Sequence, residues 1–158
     1  MIFEQYKFLK KQLLQKADAN QPIAKQPQPA PLVLAYIGDA IFSLYVRERL
    51  YLLEKNKVRV LNDIGALLVS AVMQAQAIDH LQNELTDAET DIVRRGRNTK
   101  SSVPKSASIN EYRKSTGFEC LIGWLHWLEE KERLDFLLDK AFAFLIKQLL
   151  IKENGDAS

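Results

Sequence analysis

Two carboxylates occupy stretches of sequence where a charge is costly. From Ala30 to Val46 the only charged residue is Asp39, and from Ser115 to Leu128 the only one is Glu119, with His126 neutral. Both stretches are apolar nearly all round a helix, the pattern of helices packed in a core. An ionised carboxylate taken out of water without a partner costs on the order of several kcal/mol. Each acid therefore needs one of three settings. It can lie on a narrow strip facing solvent, which Ser43, one turn after Asp39, would extend. It can pair with an Arg or Lys from another helix. Or the two can share a divalent cation at a helix–helix seam. The residue types leave these three open. Gly38 precedes Asp39 and Gly117 lies two before Glu119. Glycine inside a helix costs about 1 kcal/mol relative to alanine, so its presence points to close approach by a partner or ligand.

No other constellation carries chemistry. Cys120 and His126 are six residues apart, about 240° round a helix, and cannot form a nucleophile–base pair within it. Cys120 is expected to be a small core residue. His80 lies among polar residues and His126 between two tryptophans, and both are expected to be structural. Charge is concentrated in one place. Arg94, Arg95, Arg97, Lys100, Lys105, Arg113 and Lys114 share the segment from 94 to 114 with a single acid, Glu111, giving +6 in a chain whose net charge is +2. A mildly acidic body with one basic segment suggests a polyanion contact there, against the plainer alternative of a solvated basic loop.

The elements that must position these residues are helical. At 158 residues, 47% hydrophobic and 27% charged, the chain suits one globular domain with a sizeable core. No apolar run is long enough to span a membrane, and the charged N-terminus lacks the apolar stretch of a signal peptide. A single cysteine, which excludes an internal disulfide, fits a reducing compartment, so a cytoplasmic protein without a membrane partner is expected. Ile2, Tyr6, Leu9 and Leu13 recur at helical spacing over 2–16, and Pro22, Pro27 and Pro29 then make a polar linker with their glutamines. Pro31 suits the first turn of a helix running to about Leu53, and a single helix is predicted from Val60 to Asn83. Thr86-Asp87-Ala88-Glu89 and Ser108-Ile109-Asn110-Glu111 are capping boxes that open helices ending near Arg97 and Trp127. A last helix covers about Lys131 to Ile151. The fold class is all-α, with 1–30 an N-terminal helix and linker, 31–152 the functional domain, and 153–158 a tail.

Leu34-Ala35-Tyr36-Ile37-Gly38-Asp39-Ala40-Ile41-Phe42 resembles the signature helix of the ribonuclease III family, and Phe118-Glu119-Cys120-Leu121-Ile122-Gly123 resembles its second metal-binding helix. Order and separation fit as well. Over roughly residues 31 to 140 the chain is more similar to the Mini-III branch, which has the catalytic domain without a separate double-stranded-RNA-binding domain. Arg94-Arg95-Gly96-Arg97-Asn98 and Tyr112-Arg113-Lys114-Ser115-Thr116 share in that likeness. The full-length pattern has glutamates four and seven residues before the signature aspartate, where this chain has Ala35 and Leu32. It also has an aspartate three before the second glutamate, where this chain has Thr116. Mini-III shares these losses.

The resemblance implies a helical-bundle ribonuclease III catalytic domain that hydrolyses double-stranded RNA with Mg²⁺ held by Asp39 and Glu119. It implies a homodimer whose two sites cut the two strands, with Arg94, Arg95, Arg97, Lys100 and Lys105 on a basic valley and Arg113 and Lys114 less central. The implied substrate is precursor ribosomal RNA of the large subunit, presented with a large-subunit ribosomal protein. Two alternatives remain beside it: a non-catalytic module of the same fold that grips structured RNA, and a helical adaptor for protein partners. The two isolated acids argue against the first and the basic segment against the second.

Overall fold

The computed structural model describes residues 1–16, 27–99 and 107–155, with side chains as far as Ile151. Among these residues there is no strand. The helices are α1 (Ile2–Lys16), α2 (Pro31–Tyr51), α3 (Val58–Leu68), α4 (Ala71–Leu81) with a 3-10 turn at Gln82–Glu84, α5 (Asp87–Arg97), α6 (Ile109–Trp127) and α7 (Lys131–Gly155). The all-α class is thus observed. α6 is the central element, packed by α2, α4, α5 and α7. Its Phe118, Cys120, Leu121 and Ile122 are wholly buried, with Phe42 of α2 standing edge-on to Phe118 at 5.0 Å between ring centres. Leu68, Leu81, Leu137 and Leu145 complete the core from the surrounding helices.

Both capping boxes form. Thr86 Oγ1 accepts from the Glu89 backbone N–H at 3.3 Å and Glu89 Oε2 accepts from that of Thr86 at 2.8 Å. Ser108 and Glu111 repeat the exchange at 3.1 and 2.9 Å. Glu89 has a second role that its capping signature does not announce. Its carboxylate is buried and takes two hydrogen bonds of 2.8 Å from the Arg133 guanidinium, which also donates to the Glu84 carbonyl. The start of α5 is thereby pinned to α7.

Two expectations are corrected. The single helix predicted from Val60 to Asn83 is two helices meeting at 52°. Ser70 breaks it by capping α4, its Oγ accepting from the Met73 N–H at 3.3 Å, while the Gln74 amide donates to the Val69 carbonyl that the break leaves free. Hydrophobic periodicity continues through the break, so apolar spacing alone does not reveal it. Second, α2 is not enclosed on all sides. Leu32, Val33, Tyr36, Ile37 and Leu44 are exposed, because no element among the described residues covers that face. α7 also runs past Ile151 to Gly155.

What fixes α2 on α6 is the absence of two side chains. A Cβ placed on Gly38 would stand 1.8 Å from the Glu119 carbonyl oxygen, and one on Gly123 would stand 1.9 Å from that of Leu34. The two backbones touch, at a distance no other residue type permits. Gly38→Ala should therefore destabilise the protein by about 2–3 kcal/mol or more, the range of core overpacking. Gly65→Ala is the contrast. There a Cβ meets only Leu50 Cδ1 at an ordinary 3.6 Å, and the better helix propensity should make it neutral or stabilising by up to about 1 kcal/mol. Urea unfolding midpoints of the two variants test the pair.

Candidate metal centre

The backbone contact at Gly38 places the neighbouring Asp39 beside Glu119, eighty residues further along the chain. The two acids of the sequence reading are thus brought to one seam. Asp39 is exposed and Glu119 is partly buried. They are near enough for the charge of one to act on the other. Burial, and then the negative charge of Asp39, push the Glu119 carboxyl up to about 8, against a partial opposing pull from a hydrogen bond by the Gln74 side chain. Neither acid is ion-paired among the described residues. Of the three settings open at the level of sequence, the structural ion pair is therefore not found among the described residues. A half-buried carboxylate facing a like charge, with no cation of its own, fits a site for a divalent ion.

The protein supplies few ligands to it. No group of three or more His, Cys, Asp or Glu side chains converges among the described residues. Ala35 is buried in the core, Leu32 is exposed, and Thr116 is turned away, its hydroxyl donating to the Tyr112 carbonyl at 3.0 Å. Beyond the two acids, Gln74 lies close enough to act on the Glu119 carboxyl. Nothing in the sequence distinguishes Gln74 from Gln76 two places on, and only the break at Ser70 gives it its place.

The described basic residues of the sequence reading lie on α5 and α6. Arg94, Arg95 and Arg97 end α5, whose Gly96 packs on Gly117 of α6 so closely that an added Cβ would lie 3.0 Å from the Gly117 Cα. All three guanidiniums are exposed. Arg94 pairs with Asp91 one turn back, whereas Arg95 lies close enough to Cys120 to act on its thiol. Lys114 of α6 pairs with Asp79 at 2.6 Å, and with Arg94 and Arg97 it lines a cleft of about 240 Å³. Arg113 is exposed. Lys100 and Lys105 lie outside the described residues. A second cleft, of about 310 Å³, lies between α2 and α3 one turn from Asp39, with Ser43, Arg47 and Asn62 on its walls. Cys120 is buried and its thiol is pushed up to about 12 by that burial, an inert group. His80 stacks on Phe144 at 4.2 Å, and His126 lines an apolar cleft with Val33, Ile37 and Trp127, so neither faces the acids.

A family model described as Ribonuclease III domain matches residues 32–128, the span from the start of α2 to the end of α6, and the chain belongs to that family. Its curated relatives narrow the class. A Mini-ribonuclease 3 of Symbiobacterium thermophilum is 48% identical over 119 residues, covering 73% of this chain and 89% of the relative. A Mini-ribonuclease 3 of Staphylococcus aureus is 42% identical over 113 residues, covering 70% and 84%. These put the chain in the Mini-ribonuclease 3 branch, an endoribonuclease. An X-ray structure of a Fusobacterium nucleatum protein, 28% identical, superposes with a TM-score of 0.67 over 72% of this chain and 92% of that one. Enzymes of the ribonuclease III family generally need a divalent metal.

The raised Glu119 carboxyl gives a signed expectation for stability. Between the ordinary carboxyl value of 4.5 and about 8, the unfolded chain has lost this proton while the folded, metal-free chain retains it. Stability therefore falls as pH rises through that window and levels off above it. Glu119→Gln should raise the melting temperature of metal-free protein at pH 8.5 and change it little at pH 4.5. Each kcal/mol recovered is worth about 2–4 °C. Equal shifts at both pH values would show that charge is not the cause.

Proposed function

We propose that this endoribonuclease cuts double-stranded RNA with Mg²⁺ held by Asp39 and Glu119, and that its substrate is precursor large-subunit (23S) ribosomal RNA in the cytoplasm. The observation that supports this most is the meeting of two carboxylates without cations at a backbone-tight helix crossing. When bound, magnesium would lower the pKa of water and offset charge on the reacting phosphoryl group. The chain's own part is to hold two oxygen ligands on rigid helices rather than loops. With so few protein ligands, a bound magnesium would keep several waters, which it tolerates well. Arg94, Arg95 and Arg97, with Lys100 and Lys105, contact phosphates and 2′-hydroxyls of A-form RNA, a readout of shape more than sequence.

A homodimer is part of the proposal. The uncovered face of α2 carries Val33, Ile37, Ala40 and Leu44 at spacings of four, three and four, the narrow apolar seam of a helix that packs on another. Two copies joined by this seam would present two metal sites to one duplex. A large-subunit ribosomal protein that presents the RNA is proposed from the family resemblance alone.

Purified protein incubated with duplex RNA should cleave it only when Mg²⁺ is added. Asp39→Asn and Glu119→Gln should each lower the rate about a thousandfold or more while still binding the duplex. Binding without cleavage by the parent protein would replace the enzyme with the RNA-gripping module. For the dimer, Leu44→Asp should sediment as a monomer, with the unaltered chain sedimenting at twice that mass.

A further inference from the structure

We propose that the cleft between α2 and α3 is a subsite for the RNA backbone, in which Arg47 binds a phosphate close to the one that is cut. The inference rests on the proposed function above and adds to it a place where the substrate strand is held. Asp39, Ser43 and Arg47 follow one another at steps of four residues, so they form one row along α2. At 1.5 Å per residue, the row runs about 6 Å from Asp39 to Ser43 and about 12 Å to Arg47. Ser43 and Arg47 are also walls of the cleft of about 310 Å³, which Asn62 lines from α3. The cleft thus begins one helical turn from the acid.

The chemistry of the walls selects the ligand. Arg47 carries the only charge among the residues that line the cleft. It has no carboxylate partner and no hydrogen bond among the described residues. Arg49, two places on, is by contrast tied to Asp139 and lies over the Tyr45 ring. A guanidinium without an acid beside it offers a fork of donors that fits a phosphate. Ser43 and Asn62 supply a hydroxyl and an amide, which both donate and accept, as a ribose 2′-hydroxyl does. The cleft is also kept open. Its Gly65 is unfavourable in a helix relative to alanine, yet an added Cβ there would meet only Leu50 Cδ1, at 3.6 Å. Packing does not require that glycine, and what it provides is room. By comparison, the cleft lined by Arg94 and Lys114 holds an acid of its own, Asp79, already paired with Lys114.

Binding of a short RNA duplex by the Asp39→Asn protein, which should hold the duplex without cutting it, tests the assignment by fluorescence anisotropy. Added to that background, Arg47→Gln should weaken binding about tenfold and lower the slope of log affinity against log salt by about one. Arg47→Lys keeps the charge but not the fork, and should recover the slope with part of the affinity. Lys131→Gln removes an equal charge from the start of α7, and should leave affinity within about twofold. Arg47 is exposed, so its variants should melt with the background protein. Duplexes with one uncharged methylphosphonate link, moved a nucleotide at a time along one strand, then locate the phosphate. At one position the link should weaken binding about as much as Arg47→Gln does, and should cost that variant nothing further. Unchanged binding by Arg47→Gln overturns the proposal, as does a matching loss in Lys131→Gln. Losses from the link that add in full to that of Arg47→Gln at every position overturn it too. Failure of Asp39→Asn and the unaltered chain alike to bind duplex overturns the RNA reading itself, and the role of the cleft with it.

Discussion

The distance between two helix backbones sets everything else in this molecule. Gly38 and Gly123 let α2 and α6 touch main chain to main chain, and an atom added at either point would overlap a carbonyl oxygen of the other helix. A crossing this close has almost no freedom to slide or rotate. Asp39, next to one glycine, and Glu119, four residues before the other, are carried to a fixed separation without a hydrogen bond between them. Gly96 and Gly117 repeat the device on the α5 side of α6, so α6 is held from two directions by contacts that only glycine permits. Aiming two anions at each other is unfavourable in itself. It persists because the packing that enforces it is worth more than the repulsion.

The parts legible in the sequence were those whose signals are local. Capping boxes are statements about four consecutive residues, and both formed as their chemistry requires. The isolation of Asp39 and Glu119 in apolar surroundings was equally plain, because a charge in such a stretch must be compensated. Gly38 and Gly117 hinted at close approach, though the sequence could not say that Gly38 meets Glu119 and Gly117 meets Gly96. Other features depend on the third dimension. The break at Val69–Ser70 hides inside an apolar pattern that continues across it, and a serine there looks no different from one on a helix surface. Gln74 acquires meaning only through that break. Arg133 gives no local sign that it will reach Glu89 forty-four residues away. The uncovered face of α2 was obscured for a similar reason: an apolar helix is the same string of letters whether its last face meets its own chain or another.

Electrostatically the molecule separates its tasks. The arginines that end α5 stay exposed, paired at most with a neighbour on their own helix, as suits groups that meet a solvated polyanion. Exposed pairs of this kind contribute little to stability. Among the described residues the one deeply placed pair, Glu89 with Arg133, joins α5 to α7. The buried Glu89–Arg133 pair therefore makes no demand on Asp39 and Glu119, which have no cation partner among the described residues.

That separation has a consequence for how the fold responds to protons. Hydrogen bonds from Arg133 hold the Glu89 carboxyl below its ordinary range, so its contribution is present above that range and is lost as pH falls through its folded value. Because the same carboxylate closes the cap of α5, a single protonation loosens a helix end and an interhelical clasp together. Glu119 has the opposite slope, weakening the empty protein as the solution becomes alkaline. Two glutamates thus bound the ion-free protein from the acid and the alkaline side, and their opposing slopes meet near the ordinary carboxyl value of 4.5.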